Sequence, residues 1–372
     1  MAKLSSMESP RSLPFYAKLS LNLLSIVIIG SLIYMGQDIL MPICFAIVLA
    51  FLLLPLNNWL VKKGFPQVPS MLLSIIVAVA IIAGMVFFLS RQIAGFANDL
   101  PKIKQNLAHH ITTVQKWIGD NFNISRREQQ KAVESAAADI KSTGPGMLGS
   151  TVLSAASALI VIVLLPIYTF LIMYYRHLIK KFLVDIFSDH HRSKVEEVLF
   201  ESRVIIQSYM VGLLLEMGIV AALNWIGFFI VGIHYAIFLA ILAAILNMIP
   251  YIGMLIAGIT VMVITLTSSN TLADVIWVGV VLLIVQFIDN NILMPYVVSS
   301  KVKINAMVSI IGVLIGGALA GVSGMFLSIP GIAIMKSVFD RVDELKPWGM
   351  ILGDDQTMAK PTIRQRLKRI KK

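Results

Sequence analysis

The sequence predicts an all-α integral membrane protein, with about six full transmembrane helices, two re-entrant helical hairpins and a hydrophilic helical insert. Hydrophobic residues make up 58% of the chain and charged residues only 14%, whereas soluble domains carry about 25% charged residues. Apolar runs long enough for the roughly 30 Å hydrocarbon core, which needs about 20 helical residues, recur along the chain. Two further uncharged stretches are interrupted at their centres. These observations exclude a water-soluble fold.

Six apolar runs are predicted as full spans: residues 19–35, 39–61, 71–90, 151–175, 204–230 and 275–298. Basic residues precede the first run but no small-residue cleavage pattern follows it, so we expect an uncleaved first helix rather than a signal peptide. The single cysteine, Cys44, lies within the second run. It excludes a disulfide framework within the chain and a thiolate metal cluster.

The distribution of Lys and Arg predicts that both termini lie in the cytoplasm. In this orientation most of the 31 basic residues fall in cytoplasmic loops and in the tail. The others lie in 91–148, which is long enough to be translocated largely regardless of its charge. The basic tail, 360–372, is interpreted as a segment attracted to anionic lipid headgroups, at roughly 1 kcal/mol per residue. Contact with RNA is the alternative for this tail, and no nucleic acid is expected as a partner.

The uncharged stretches 235–267 and 304–335 are predicted as re-entrant helical hairpins. Counting spans between the charged loops requires the first stretch to begin and end outside and the second to begin and end inside. They are interrupted at 247–253 and 316–324, and the half that precedes the first break, about 22 Å long, is too short to cross the core. Non-helical backbone in a membrane is tolerated only against protein or a water-filled cavity, so both breaks indicate a transport pathway. A single kinked helix is the alternative for each stretch.

Two polar segments are predicted as amphipathic helices. The insert, 91–148, has apolar residues alternately three and four apart, a pattern that suits packing onto its own domain or assembly between subunits. Residues 176–203 are predicted as an interfacial cytoplasmic helix. The expected organisation is three spans in 1–90, the insert 91–148, a fourth span and amphipathic helix in 149–203, a transport core in 204–340 and a basic tail in 341–372.

Two carboxylates fall inside predicted spans, where a charged group costs several kcal/mol and usually faces a cavity or a partner. Asp289 lies about 21 Å from the outer end of its span, near the depth of Pro250, so we expect it within about 10 Å of residues 247–253. Pro295 lacks the N–H that would bond the carbonyl of Asn291, which frees an oxygen for a cation or a sugar-like hydroxyl. Glu216 lies near the midplane. It is interpreted either as a proton-coupling group or as a neutral acid bonded to a neighbouring helix.

From Gly232 onward the sequence resembles the autoinducer-2 exporter family of bacterial membrane proteins. The resemblance rests on the motifs LNMIPYIG at 246–253, DNNILMP at 289–295 and GGALAG at 316–321, followed by SIP at 328–330. It implies export of a small solute from a bacterial cytoplasm, with autoinducer-2 as the namesake cargo, and other family members are linked to sodium/proton antiport. Two positions depart from the family pattern: Asp289 stands where Glu is frequent, and Met254 stands where Pro is common.

The predicted solute or ion pathway combines these motifs with the polar interruptions: Asn247, Pro250, Tyr251, Gly253, Gln286, Asp289, Asn290, Asn291, Pro295, Gly316, Gly317, Gly321, Gly324 and Pro330. Three functions compete: an exporter of a small polar metabolite or signal, a sodium or lithium/proton antiporter, and a non-transporting membrane scaffold. The expected partners are a small polar solute or monovalent cation, the lipid bilayer, and further copies of the chain in a homo-oligomer of the bacterial cytoplasmic membrane. No enzymatic fingerprint occurs in the context it needs, and no metal or cofactor is predicted.

Overall fold

The computed structural model describes residues 14–99, 145–269, 271–298 and 304–353, together with isolated residues between 105 and 121. In the second range, side chains are described from residue 162 onward. All regular secondary structure in these ranges is helical. The helices are α1 (Phe15–Lys62), α2 (Gln67–Asn98), α3 (Pro145–Asp185), α4 (Arg192–Val231), α5 (Ala236–Asn247), α6 (Ile252–Ser268), α7 (Leu272–Ile288), a π-helix (Asp289–Val298), α8 (Ala306–Phe339) and α9 (Lys346–Leu352).

The first helix corrects the sequence analysis, because the two spans predicted at 19–35 and 39–61 form one continuous helix of 48 residues. Its length is about 72 Å, more than twice the roughly 30 Å core. The polar residue Gln37 is half-buried and Asp38 is exposed on its surface, and Pro42 and Pro55 are accommodated inside it. A continuous helix keeps the backbone N–H and C=O groups hydrogen-bonded, whereas a loop inside the membrane would leave some of them unpaired. With one helix before Lys62, the cytoplasmic position of the N-terminus no longer follows from counting spans.

The predicted interfacial helix at 176–203 is also corrected. The chain turns within it, between α3 and α4, through a short 3₁₀ segment at Asp189–His191. The basic and acidic residues of this segment therefore belong to the ends of two long helices. Arg192 at the start of α4 bonds Asp185 at the end of α3 at 3.3 Å, which closes the turn.

Two short helices, α5 and α6, occupy the stretch that was predicted as the first hairpin. Gly232, with φ 85°, ends α4 in the left-handed conformation, which glycine adopts without a Cβ penalty. At 12 and 17 residues, α5 and α6 are about 18 Å and 26 Å long, and each is shorter than the core. Residues 248–251 break the helix between them, as predicted.

The helix α8 folds back on itself at Ala320 and Gly321, whose φ/ψ angles are −148°/30° and 56°/−142°. The two arms meet at their glycines: an added Cβ on Gly324 would lie 1.9 Å from the Gly316 carbonyl oxygen. Farther from the turn, an added Cβ on Gly312 would meet Ile332. The arms are therefore antiparallel neighbours, and the turn falls within the interruption predicted at 316–324.

Polar contacts define two opposite ends of the molecule. At the insert end, the hydroxyl of Tyr235 donates to Asp99 at the end of α2, and the Asn106 amide donates to the Thr267 carbonyl at 3.4 Å. At the basic end, Arg341 binds Glu197 and Glu201 of α4. The hydrophilic insert itself lies mostly outside the described residues, as does the tail beyond Gly353.

The core is built from α4, α5, α6 and α7. Its buried residues include Phe228, Leu239, Val261 and Val278, while small residues such as Ala243 allow α4 and α5 to approach closely. Close approach matters because helices in lipid associate through packing rather than through a hydrophobic driving force. Large apolar side chains cover the outside of the molecule.

Six helices in the described ranges are long and apolar enough to cross a membrane. The number agrees with the six predicted spans, but the segments that form these helices are partly different. Helix α1 replaces two predicted spans, and Ala306–Phe339 qualifies only by the combined length of two arms that fold back on each other at Ala320 and Gly321.

Candidate solute and proton site

The site begins where α7 changes its winding at Asp289. The following segment, Asp289–Val298, is a π-helix that contains Pro295. In a π-helix each N–H bonds the carbonyl five residues earlier, so the missing N–H of Pro295 releases the carbonyl of Asn290. The sequence analysis had assigned this release to Asn291 from α-helical spacing, which the observed winding corrects. Such π segments frequently occur at functional sites.

The break between α5 and α6 forms the second part of the site. Tyr251 has φ 64°, a conformation that costs a non-glycine residue roughly 1–2 kcal/mol. Gly253 follows at a point where an added Cβ would lie 1.9 Å from the carbonyl oxygen of Leu246. The turn is tight because the N–H of Gly253 donates to the Ile249 carbonyl at 2.9 Å. Only glycine fits this close approach of two backbone segments.

The two parts meet at Asp289, as the sequence analysis predicted. The Asn247 side-chain amide donates to Asp289 Oδ2 at 3.1 Å. Gln286 Nε2 approaches the same oxygen at 3.3 Å and Asn290 Oδ1 at 3.0 Å. A polar cluster of Asn247, Gln286, Asp289 and Asn290 therefore joins the broken helix α5–α6 to the α7–π junction.

A second carboxyl group adjoins this polar cluster. The Glu216 side chain of α4 lies next to the Asp289 carboxyl, and the two residues are only 5% and 3% exposed. Glu216 Oε2 and Asp289 Oδ1 are both buried and accept no hydrogen bond from any described donor. Ionised carboxylates only accept hydrogen bonds, so two of them in contact need a proton between them. One proton shared between the two acids would supply the donor that both oxygens lack.

Sequence reasoning did not identify two further buried polar residues on the face of α4 that carries Glu216. Tyr209 is 4% exposed and lies near Glu216 and Tyr251. Asn224 is 2% exposed, and its Oδ1 has no described donor. Both are on the buried face of α4 that carries Glu216, since positions seven or eight residues apart return to one face of a helix. That periodicity was the available signal.

The chemistry of the cluster is that of oxygen ligands without basic neighbours. No Lys or Arg occurs between Arg203 and Lys301 in the sequence. Among the described residues, no group of three or more His, Cys, Asp and Glu side chains could hold a metal ion. Carboxyl and amide oxygens in a site that excludes water can replace the hydration shell of a monovalent cation or bind the hydroxyls of a small polar solute.

The other predicted pathway residues lie elsewhere. Asn291 is exposed and donates to the Phe287 carbonyl of its own helix at 2.8 Å, and Pro295 is exposed. Pro250 forms part of the α5–α6 break. The remaining predicted positions belong to α8 and pack between its two arms or beside them: Gly316, Gly317, Gly321, Gly324 and Pro330.

Comparison with known proteins places the chain among membrane transporters. A family model described as "AI-2E family transporter" matches residues 23–344. The chain is 25% identical over 307 residues to "Putative transport protein YrrI" of Bacillus subtilis strain 168, covering 81% of this chain and 85% of that protein. It is also 25% identical over 354 residues to "Putative transport protein YhhT" of Escherichia coli K12, covering 93% of this chain and 97% of the relative. "Putative permease PerM" of the same strain is 28% identical over 148 residues, 40% of this chain and 42% of that protein.

Proposed function

The chain belongs to the AI-2E family of transporters, and from this membership we propose that it moves a small polar solute across a membrane in exchange for protons. The observation that carries the proposal is the buried contact of Asn247, Asp289 and Glu216. It joins a broken helix, a π-helix and two acids in one place, and transporters bind substrate at such discontinuous helices near the bilayer midplane.

The proton is carried by the carboxyl pair. One proton bridges Glu216 and Asp289, because neither orphaned oxygen has another described donor. A solute that binds Asp289 competes for that bridge, and so it favours release of the proton. Binding and protonation are thereby linked, which is the requirement for coupled exchange.

The first candidate cargo is a small polar metabolite or signal that leaves the cell, such as autoinducer-2. The site offers amide donors from Asn247 and Gln286 beside carboxyl acceptors, a combination that matches a molecule rich in hydroxyl groups. The family name supports the same class of cargo.

A second candidate is exchange of sodium or lithium for protons. The specific observation in its favour is that the cluster contains carboxyl and amide oxygens, while no Lys or Arg occurs between Arg203 and Lys301. A dehydrated monovalent cation would compensate the negative charge that proton release leaves on the pair.

Access to the cluster is proposed to run along re-entrant hairpins. Helices α5 and α6 are each too short to cross the membrane, and both ends of this pair lie toward the insert end. The arms of α8 enter from the basic end and turn at Gly321. Two hairpins entering from opposite sides would bring their tips toward the middle of the bilayer.

The charged ends of the molecule suggest its orientation in the membrane. The basic end faces the cytoplasm of a bacterial cell, in keeping with the excess of Lys and Arg on cytoplasmic loops.

Asn290 and Asn291 are exposed on one protomer, and polar side chains at this depth usually face another helix or a cavity rather than lipid. This exposure supports a homo-oligomer, and the insert 91–148 is a further assembly surface.

The test is a flux assay in proteoliposomes with a set pH gradient and a pH-sensitive dye inside. We expect proton movement that depends on added autoinducer-2, or on sodium or lithium, and that falls at least about tenfold in Asp289→Asn. The expected loss corresponds to removing one buried hydrogen-bonded acid, about 1.5–3 kcal/mol. The matched control is Asp38→Asn, which changes an exposed carboxylate of α1 and should leave flux unchanged. The cargo that drives proton movement decides between the two candidates, and wild-type protein with no flux for either would favour the scaffold.

A further inference from the structure

An apolar cavity of about 670 Å³ lies between α1 and the two arms of α8. Its walls are formed mainly by aliphatic side chains, including Val48, Ile311, Ile315 and Leu327. The lining also includes the Ser328 hydroxyl, which is already satisfied because it donates to the Met325 carbonyl at 2.6 Å. The cavity therefore offers packing contacts and no polar group that needs a partner.

The cavity has the length of one leaflet of a bilayer. It follows the first arm of α8 from Val308 to Leu319, about 17 Å along the helix axis at 1.5 Å per residue. The second arm lines it from Gly324 to Met335, the same distance in the opposite direction. Half of a roughly 30 Å hydrocarbon core is about 15 Å. One end of the cavity is at Met335 and Leu352, at the basic end of the molecule.

Two possible occupants do not fit these walls. Water requires two to four polar partners in a buried site, which the lining does not supply. The segment that follows Leu352, residues 354–372, carries repeated Lys and Arg and would bury charge in an apolar space. Leaving the cavity empty would forfeit the dispersion contacts of its walls.

We propose that this cavity binds one acyl chain of a membrane phospholipid from the leaflet at the basic end. The chain enters beside Met335 and Leu352 and extends toward the turn at Ala320. It packs against Gly316 and Gly324, where the arms of α8 touch, so the bound chain holds the arms in their observed spacing. The headgroup remains at the basic end, among the lysines and arginines of the chain. This inference does not depend on the cargo.

The first test fills the cavity from inside. An added Cβ on Gly331, which lines the cavity, meets no atom within 4 Å, so Gly331→Leu occupies the space without a clash at Cβ. Gly258 in α6 is equally open but lies away from the cavity, and Gly258→Leu is the matched control. Native mass spectrometry of protein purified in mild detergent should show one retained phospholipid per chain in the wild type and in the control. Gly331→Leu should retain at least fivefold less, and equal retention in all three proteins would overturn the proposal.

The second test needs no substitution. Cys44 lines the cavity and is the single cysteine of the chain, so its rate of reaction with N-ethylmaleimide reports on the space. We expect delipidated wild-type protein to react at least fivefold faster than lipid-bound protein, and added phosphatidylglycerol vesicles should restore the slow rate. A rate that does not respond to lipid contradicts a bound acyl chain. A lipid-free dimer that dissociates on Gly331→Leu substitution would instead assign the cavity to a second copy of the chain.

Discussion

At the scale of single residues, the proposed proton exchange depends on the contact between Glu216 and Asp289. The two carboxyl groups form one unit in an apolar interior, because two adjacent negative charges repel strongly there. Asn247 adds a donor to one side of the unit. The unit can therefore hold one proton, or release it when another positive or hydrogen-bonding group takes its place.

The first prediction is that substitutions in this pair are not additive. Glu216→Gln and Asp289→Asn each preserve shape but remove one acid, so each should lower proton-coupled flux at least about tenfold, by the loss of about 1.5–3 kcal/mol. Proton-coupled flux in the double variant should be no lower than in the less active of the two single variants, because either single substitution already removes the shared proton. Flux measured with the pH dye in all four proteins checks this. Losses that multiply would mean that the two acids act separately.

The second prediction concerns Gly253, where an added Cβ would lie 1.9 Å from the Leu246 carbonyl oxygen. Rotation of a side chain cannot relieve a clash with backbone. Gly253→Ala should therefore cost at least about 2 kcal/mol and lower the thermal unfolding midpoint in detergent. Gly258→Ala, in the open interior of the same helix, should gain about 0.5–1 kcal/mol. Equal midpoints for the two variants would contradict the tight turn.

Sequence reasoning located part of this site. The depth of a residue along a span follows from counting at 1.5 Å per residue, and that count correctly brought Asp289 to the level of the 247–253 break. Counting does not give the direction in which a side chain points around the helix axis relative to other helices. Glu216 was therefore placed at the right depth without its partner, and Tyr209 and Asn224 were not identified.

At the scale of helices, the contact between the arms of α8 depends on glycines at two positions, Gly316 and Gly324. Gly317 differs from them, since an added Cβ there would meet side-chain atoms of Met325 rather than backbone, with Cε at 2.5 Å and Cγ at 3.1 Å. A flexible methionine can move aside. Backbone cannot.

The third prediction follows from this difference. Gly324→Ala should force the arms apart at a cost of about 1–3 kcal/mol, and Gly317→Ala should cost less. The thermal unfolding midpoints of the two variants provide the comparison, with rates of transport measured beside them. If Gly317→Ala destabilises as much as Gly324→Ala, the arms are not held at the glycine contact.

The fourth prediction concerns the link between α4 and the end of α8. Arg341 is 17% exposed and binds two carboxylates, with Glu197 at 3.2 Å and Glu201 at closer range. Arg341→Ala leaves both acids without their cation, and we expect a loss of about 1–2 kcal/mol in stability. Arg192 also binds two acids but is 48% exposed, so Arg192→Ala should cost about 1 kcal/mol or less. Thermal unfolding at low and high salt measures both, and equal losses would contradict the importance of burial.

The helical elements were predicted better than their boundaries. Apolar length and central interruptions gave the breaks at 247–253 and 316–324 because Pro and Gly disrupt helices by local sterics. The separation of 19–35 from 39–61 was wrong because Gln37 and Asp38 add polarity without preventing helical backbone. The π-helix after Ile288 was not foreseen, since it packs against α4 and composition does not show such tertiary contacts.

At the scale of the whole molecule, polar contacts separate an insert end from a basic end. Helices α2 and α4 are long enough to connect these ends, as is α7 together with its π-helix, while α5–α6 and the arms of α8 return to the end from which they start. The carboxyl pair lies between the two ends.

The fifth prediction tests which end faces the cytoplasm. In a Cys44→Ser background, Asn121→Cys in the insert should react with an impermeant thiol reagent added to intact cells. Glu344→Cys, at the exposed basic end, should react only after the membrane is breached. The reverse labelling would invert the proposed orientation.

The shortness of α5 and α6 also constrains how the chain is made. Asn247, at the end of α5, bonds a residue that lies 42 positions later in the chain, and at about 5–20 residues per second that partner emerges about 2–8 seconds afterwards. During this interval a 12-residue helix that cannot span the bilayer carries a polar group without its final acceptor. In the re-entrant arrangement, α5 and α6 therefore remain in contact with water or the insertion machinery until α7 has been synthesised. Biosynthesis of this region is then a joint insertion of three helices, and a nascent chain arrested before Asp289 would leave the first two unintegrated.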